Sequence, residues 1–478
     1  MIAGSRGSGL RRIARHARRF ARDERGAIIA FVLPLFLLML LGGGAAIDFM
    51  RHEATRARLQ DAIDRGVLAA ANLSQSLDAE VVVRDYMKSA GFGPEMELTV
   101  IAEIVQPNER RITAVAGVPV DTTFLNLAGI PRLNVAVTGT AQESRRDIEV
   151  SLVLDISTSM IEIGRFAQAT KIDMLVPAAQ SFVDAVITDQ SRSLTSINLI
   201  PYAGQVNIRP LINQFRISAA SRHADNSCIE VNEAVEFGQT GLPNPNALRD
   251  QVPFFQFSTW TPQGATFTKW GWCPTDDSAI VVQSNDSDAL KGRIASLSRS
   301  LHEATGTQYG MKWALSLLDP SSRPIVGPAG SDDFRDRPLD WNPAGDLEGA
   351  SKIIVLMTDG KITLQYRPDA NTRSNRGRMN RLRTEELSRH NDWRETRTSE
   401  AQNVAHFKRL CDLARDNNVR VFTIGYDVVD DPNDDDDVAD QLRRCATFES
   451  DFFRVEGANI AAAFQSIAGQ INRLKLVN

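Results

Sequence analysis

The stretch from Ala27 to Ile47 limits most strongly how this chain can fold, since its 21 residues include no charged side chain. About 20 apolar residues suffice for a helix to cross the hydrocarbon core of a bilayer. Eight arginines and only two acidic residues precede it, within residues 1–26. Basic residues stay on the cytoplasmic side of a spanning helix. We therefore expect a basic cytoplasmic arm over 1–26, a transmembrane helix over 27–47, and a single pass through the inner membrane with all later residues in the periplasm.

A cleaved signal peptide is the alternative for this segment. Gly42–Ala46 supplies small residues like those of a cleavage site. However, the apolar stretch is long for a signal peptide. Beyond it, Leu59, Ile63 and Val67 recur every four residues, which predicts that the helix continues outside the membrane. We therefore favour an uncleaved helix.

Two apolar runs further along the chain end in acidic loops. The run IEVSLVL leads into DISTS, and the run IIVLM leads into TDG. Between them lies the segment ATGTQYG. We predict that five oxygen-bearing side chains meet in one site: Asp155, Ser157, Ser159, Thr305 and Asp359. Carboxylate and hydroxyl oxygens suit Mg²⁺ or Ca²⁺ better than zinc or copper.

DISTS, ATGTQYG and TDG, in this order, resemble the metal-ion-dependent adhesion site of von Willebrand factor A domains. The resemblance implies a bound Mg²⁺, Mn²⁺ or Ca²⁺ and a protein ligand that presents an Asp or Glu. It also implies that Thr305 supplies a hydroxyl, because Gly310 follows it by five residues; Thr307 is the competing candidate. The alternative for DISTS is that Asp155 and Ser157 only cap the next helix.

From about Asp147 onward, apolar runs alternate with helical patterns, as in a parallel sheet covered by helices on both faces. We predict an α/β, Rossmann-like von Willebrand factor A domain over 147–478. Ligands of such sheets bind at the carboxyl ends of the strands, where Asp155 and Asp359 both fall. The predicted strands cover 148–155, 195–203, 353–359 and 419–427, and the predicted helices 172–187, 308–318, 401–415 and 460–474.

The N-terminal segment Arg22–Ala71 combines a basic arm, an Arg-Gly junction, the spanning helix, an Asp just outside it and an Ala/Arg-rich helix. This pattern resembles the TadE/TadG-like family of Flp (tight-adherence) pilus-assembly proteins. The closing stretch FFRVEGANIAAAFQSIAGQINRLKLVN resembles the same family's last helix and short strand. Residues 48–90 have a helical pattern and 96–141 a β-type pattern, so we expect a small α+β stalk over 48–146.

Four cysteines lie beyond the spanning segment. The sequential pairing is the simplest of three, because each pair would bracket one local region: Cys228–Cys273 and Cys411–Cys445. An oxidising compartment would favour both bridges. Four unpaired buried thiols are the alternative.

Two insertions interrupt the predicted α/β domain. The first, near 210–300, contains two cysteines and an aromatic cluster, which predicts an ordered recognition surface or a small satellite core; the aromatic residues are Phe254, Phe255, Phe257, Trp260, Trp270 and Trp272. The second, near 361–398, is arginine-rich. It would meet an acidic partner or an anionic envelope polymer or, as we favour, form a solvated and partly mobile loop. The acidic run Asp430–Asp437 is also expected to be a solvated loop.

Catalysis is not expected. An Asp-x-Asp phosphotransfer motif would need an acid in place of Ser157, and none of the six histidines neighbours Asp155 or Asp359 in sequence. Nucleic-acid binding is not expected either, because membrane topology explains the basic arm. We predict a membrane-anchored, metal-dependent protein-binding component of Flp pilus assembly or surface attachment. Its expected partners are pilus-assembly components or a surface protein that presents an Asp or Glu. The alternatives are a structural envelope anchor that uses metal only for loop rigidity, and another A-domain adhesin.

Overall fold

The computed structural model describes residues 27–73, 75–106, 109–164, 169–256, 271–297, 304–342, 350–429, 437–474 and 476–477. The chain forms two compact units, the first ending at Ser144 and the second beginning at Arg145. The predicted basic arm over 1–26 lies outside the described residues.

The first unit begins with one long helix, α1 (Ala27–Ala71), which continues through Pro34. Its segment from Phe31 onward is long and apolar enough to cross a membrane. The predicted continuation is confirmed: Leu59, Ile63 and Val67 are buried in the core of the unit. A second helix and an antiparallel β-meander complete the unit: α2 (Ala79–Ser89), β1 (Glu97–Gln106), β2 (Glu109–Asp121) and β3 (Arg132–Arg145).

The second unit is built on a six-stranded sheet. The strands are β4 (Ile148–Asp155), β5 (Thr195–Tyr202), β6 (Val281–Ser284), β7 (Ser351–Thr358), β10 (Arg420–Tyr426) and β11 (Phe452–Val455). Their order in the sheet is β11-β10-β7-β4-β5-β6, and all neighbours are parallel except β5 and β6, which are antiparallel. A two-residue strand, β12 (Leu476–Val477), closes the chain.

Helices cover both faces of this sheet, which is why its central strands are buried along nearly their whole length. One face packs against α3 (Lys171–Val186), α4 (Ser287–Ser296) and α11 (Ile460–Leu474). The other packs against α5 (Thr307–Ser316), α9 (Glu400–Asp416) and α10 (Val438–Cys445). The predicted fold class, a parallel α/β sheet flanked by helices, is confirmed.

The first insertion is shorter than predicted, because β6 and α4 fall inside 210–300 yet belong to the central sheet and its helical cover. The remainder contains the disulfide Cys228–Cys273, one of the two expected pairs. Phe255 and Trp272 are buried there. Phe254 is half-buried, and Phe257, Trp260 and Trp270 lie outside the described residues.

The second insertion contains helices and a hairpin, which a simple loop would not, while most of its side chains between 371 and 397 are exposed to solvent as expected. A short helix, α6 (Arg323–Val326), precedes this insertion in the chain. The insertion itself forms a hairpin of β8 (Gln365–Pro368) and β9 (Arg394–Thr398), and between these strands lie α7 (Ala370–Ser374) and α8 (Arg376–Arg381). Carboxylates pair with most of its arginines: Arg367–Glu230, Arg373–Glu395, Arg381–Glu385, Arg383–Asp225, Arg389–Glu386 and Arg397–Glu233. Several of these partners lie in the first insertion, so the two insertions fold against each other.

Two further expectations concern the C-terminal part. The second disulfide, Cys411–Cys445, joins α9 to α10 and is the other expected pair. Within the acidic run, residues 430–436 lie outside the described residues. Asp437 caps α10 by accepting a hydrogen bond from the N–H of Asp440 at 2.8 Å.

Candidate metal centre

The two predicted aspartates meet at the carboxyl edge of the central sheet. Asp155 is the last residue of β4, and Asp359 directly follows β7. These strands are parallel neighbours, so both side chains emerge at the same edge. Such an edge is where α/β sheets bind ligands.

Asp155 is fully buried and held by three donors. Its Oδ1 accepts a hydrogen bond from the N–H of Ser157 at 2.8 Å. Its Oδ2 accepts from the Thr358 hydroxyl at 2.6 Å and from the Tyr202 hydroxyl at 3.4 Å. Burial, together with the nearby Asp359 carboxylate, raises the pKa of Asp155 to about 7. A cation placed here would relieve both effects.

The two serines of DISTS connect the carboxylates. The hydroxyls of Ser157 and Ser159 are 3.1 Å apart, and Ser159 donates to Oδ1 of Asp359 at 2.7 Å. A continuous set of contacts therefore runs from Asp155 through Ser157 and Ser159 to Asp359. The Asp155 bond to the N–H of Ser157 also fits the alternative role of capping the following turn, so capping and ligation are compatible here.

Thr305 lies on the same side of the site as Ser159. A Cβ built on Gly360 would be 3.7 Å from the Ser159 hydroxyl and 4.0 Å from the Thr305 hydroxyl. Two hydrogen bonds to Thr363 fix the backbone of Thr305. The N–H of Thr305 donates to the Thr363 hydroxyl at 3.0 Å, and the N–H of Thr363 donates to the Thr305 carbonyl at 2.9 Å. Ala304, directly before it, has a left-handed φ of 66°. Such strain in a non-glycine residue is typical of functional loops.

Thr307, the competing candidate, faces a different neighbour. Its hydroxyl is 3.3 Å from the Tyr202 hydroxyl, under the site. Gly310 has a packing reason for being glycine: a Cβ there would lie 2.9 Å from both the Tyr202 ring and Val153. The helix that follows Thr305 can therefore sit directly on β4 and β5.

Lys171 is a member of the site that the sequence did not indicate. It is the first residue of α3, and its Nζ donates to Oδ2 of Asp359 at 2.7 Å. Only 9% of Lys171 is exposed. The ammonium thus neutralises part of the charge of the two carboxylates.

Thr358 and Tyr202 were also missed. Thr358 directly precedes Asp359 in TDG, and Tyr202 is the register partner of Asp155 across β4 and β5. Aligning the ends of the predicted parallel strands would have found Tyr202. Nothing in the local pattern around Lys171 indicates its contact with Asp359.

The donor set fits a hard divalent cation. Within the part of the chain that the structure describes, no three His, Cys, Asp or Glu side chains gather into a metal-binding group. An ion held here would therefore rely on two carboxylates supplemented by hydroxyls. This combination of oxygens suits Mg²⁺, Mn²⁺ or Ca²⁺, which also retain water ligands.

Residues 26–73 match the family model described as Putative Flp pilus-assembly TadE/G-like. The N-terminal segment is TadE/G-like. This confirms the resemblance predicted from the basic arm, the spanning helix and the Asp outside it. No curated protein matches the chain.

Solved structures of pilus proteins show distant similarity. The vWF domain of the type V pili tip protein Mfa5 from Porphyromonas gingivalis is 17% identical over 70% of this chain and 98% of that chain, with a TM-score of 0.35. The pilus adhesin SpaC from Lactobacillus rhamnosus GG, in its open conformation, is 11% identical over 80% of this chain and 35% of that chain, with a TM-score of 0.34. With TM-scores this low, neither similarity bears on what this chain does.

Proposed function

We propose that this protein is a membrane-anchored, pilus-related binding protein whose second unit captures a protein ligand through a divalent cation. Asp155, Ser157, Ser159, Thr305 and Asp359 would hold the ion. The observation that carries the proposal is the unbroken set of contacts from Asp155 through both serines to Asp359. It occurs in a chain whose N-terminal segment is TadE/G-like.

The chemistry of recognition follows from the donors. Two carboxylates and neutral hydroxyls leave a divalent ion short of oxygen ligands, and Mg²⁺ takes six. A bound ion supplies an electrophilic position that an Asp or Glu carboxylate of the partner can fill. Asp155 and Asp359 would orient the ion, and the hydroxyls would contribute ligands without adding negative charge. The site would thus bind a partner and carry out no reaction.

The topology proposed for this function places the residues before α1 in the cytoplasm and the second unit in the periplasm, with α1 in the inner membrane. The one-sided arginines support this orientation. The disulfides Cys228–Cys273 and Cys411–Cys445 support it too, because such bonds persist in oxidising compartments.

A structural anchor is the second candidate function. The contact between Lys171 and Asp359 favours it, because the ammonium supplies a cation to the site without any metal. On this alternative the ion pair holds the loops at the sheet edge, a bound metal ion would only add rigidity to them, and no partner binds through an ion.

Calorimetric titration of the full-length chain in detergent micelles with Mg²⁺ and Mn²⁺ tests the metal site. Wild type should bind one ion, and Asp155→Asn and Ser157→Ala should weaken binding strongly. Asp184→Asn is the matched control, because Asp184 is an exposed carboxylate on α3 that pairs with Lys291 outside the site. Equal binding by wild type and Asp155→Asn, or no binding at millimolar metal, would reject the site.

Partner capture separates the two candidate functions. The chain is used to pull proteins from envelope extracts with Mg²⁺ or with a chelator. Metal-dependent binding predicts that a partner is captured with Mg²⁺ only, and that Asp155→Asn captures none. Metal binding in calorimetry combined with chelator-insensitive capture would favour the structural anchor.

A further inference from the structure

The β2–β3 hairpin of the first unit carries an apolar tip beside the membrane helix. We call residues 122–131, between the two strands, the hairpin tip. None of its ten residues is charged. It contains a short 3₁₀ turn at Leu125–Ala128. Leu127 is 74% exposed and Ile130 is 45% exposed. Large apolar side chains in this arrangement suggest a surface that meets something apolar.

Contacts with α1 place the hairpin tip at the end of the apolar span. The Asp48 carboxylate accepts hydrogen bonds from the N–H groups of Thr123, Phe124 and Leu125 at 3.0, 2.8 and 2.8 Å. Asp48 is the first residue after the uncharged stretch. The tip is therefore attached where α1 would leave the bilayer.

Phe124 reaches further back along the helix. A Cβ on Gly44 would overlap the Phe124 ring, whereas Cβ atoms on Gly42 or Gly43 would meet nothing within 4 Å. Gly44 precedes Asp48 by one helical turn, which is about 6 Å along the axis. Gly44 lies inside the apolar span, so the Phe124 ring beside it lies at the depth of the span and not above it.

The backbone of the hairpin tip suits an apolar medium. Groups that enter lipid must have their hydrogen bonds satisfied within the protein. Asp48 satisfies three N–H groups at the start of the tip. Further along, the N–H groups of Leu127, Gly129 and Ile130 donate to carbonyls of the tip itself, and Pro131 has no N–H group. Gly129 provides the left-handed turn, with a φ of 85°.

Charged residues flank the hairpin tip at its base. Asp121, directly before the tip, pairs with Arg132, directly after it, at 2.9 Å. Arg51, one turn beyond Asp48 on α1, donates to the Thr123 hydroxyl at 3.1 Å. Arginines at this level are positioned to reach lipid headgroups while the apolar residues lie deeper.

We propose that the hairpin tip inserts into the leaflet where α1 leaves the bilayer, as a second membrane contact. The inference rests on the membrane anchoring proposed above and extends it. The tip would lie at the boundary between the acyl chains and the headgroups of that leaflet, because Phe124 of the tip packs against Gly44 of the spanning helix. With two points of attachment, the stalk would be held at a defined angle to the membrane.

Spin-label accessibility in the full-length chain tests the proposal. The four native cysteines are paired, so single cysteines at Leu127→Cys and Ile130→Cys can be labelled selectively. The protein is reconstituted into vesicles of phosphatidylethanolamine and phosphatidylglycerol with no other protein. Both labels should collide several-fold more often with oxygen, and less often with a water-soluble nickel complex, than a label at Ala136→Cys. Ala136 is exposed on β3, away from the tip.

Leu38→Cys, on the lipid-facing part of α1, separates the two ways in which the proposal fails. If Leu38 is in lipid and both tip labels are in water, the tip does not insert, although the anchoring stands; a tip that binds another protein would give this result. If Leu38 is also in water, the anchoring itself is wrong and the tip proposal falls with it.

Discussion

Lys171 and Asp359 form an ion pair at the carboxyl edge of the sheet, with 2.7 Å between Nζ and Oδ2. The same carboxylate accepts a hydrogen bond from Ser159 through its other oxygen. A metal ion that uses Asp359 must therefore share this carboxylate with a lysine ammonium. The pair makes the two proposed states of the site, ion-bound and lysine-paired, direct competitors.

Replacing Lys171 should strengthen metal binding. Lys171→Met removes a positive charge next to the ion, and two charges this close interact appreciably even near a protein surface. We expect Mg²⁺ affinity to rise by about tenfold or more, measured by calorimetry. Lys171→Arg retains the charge and is the control, with affinity close to that of wild type. Unchanged or weaker binding by Lys171→Met would show that the lysine does not compete with the ion.

Removing the Asp48 carboxylate should loosen the hairpin tip. Asp48→Ala leaves three N–H groups without their acceptor. We expect amide hydrogen exchange over residues 122–131 to accelerate by about tenfold in the full-length chain in micelles. Asp61→Ala is the control, because Asp61 forms an exposed pair with Arg65 on the same helix, away from the hairpin tip. Equal exchange in both variants would mean that Asp48 does not hold the tip.

The disulfide between Cys411 and Cys445 should stabilise the second unit. It spans 34 residues, which corresponds to about 3–4 kcal/mol in the chain-entropy description. The double variant Cys411→Ala/Cys445→Ala should lose this amount in urea unfolding followed by tryptophan fluorescence. All six tryptophans lie between 260 and 393, so the signal reports on the second unit. Free thiols at both positions in protein taken from the envelope would contradict the pairing.

Continuous apolar runs made the central sheet predictable. Strands β4, β5, β7 and β10 are covered on both faces, and apolar residues predominate in them, although buried polar residues such as Glu149, Ser151 and Asn198 interrupt β4 and β5. The edge strand β6 was missed because it has only four residues and ends in Gln283 and Ser284. Gln283 is buried through distant bonds: it accepts from Ser196 at 2.5 Å and donates to the carbonyl of Leu317 at 2.8 Å. No local pattern reveals such partners.

In the candidate site, too, local sequence patterns were predictable and contacts between distant residues were not. Asp155 and Asp359 could be placed together because parallel strands end at one edge, and the serines follow from their spacing after Asp155. Lys171 could not be placed in the site from the sequence, because its contact with Asp359 depends on how α3 packs. The burial of one arginine of 361–398 was unexpected for a related reason. Arg367 is buried against Glu230, at 2.6 Å, and a charge run alone does not show its distant partners.

Lys312 should give the second unit a characteristic pH dependence. Its buried Nζ, on α5, donates to the carbonyls of Gln239 and Gly241, both at 2.7 Å. Burial lowers the pKa of Lys312 from 10.5 to about 8, although Glu236 and Asp319 favour the charged form. Between these values the unfolded chain binds more protons than the folded chain. The contribution of Lys312 to the free energy of unfolding therefore rises with pH above about 8 and is lost as pH falls through that value.

Lys312→Met removes this titration and provides the comparison. Urea unfolding of the full-length chain in micelles is followed by tryptophan fluorescence at pH 7 and pH 9.5. Relative to the variant, wild type should gain up to about 2 kcal/mol between the two pH values, because one pKa unit corresponds to about 1.4 kcal/mol. Groups common to both proteins cancel in the difference. If the two proteins change in parallel, Lys312 titrates alike in the folded and unfolded chains, and the expected lowering of its pKa is wrong.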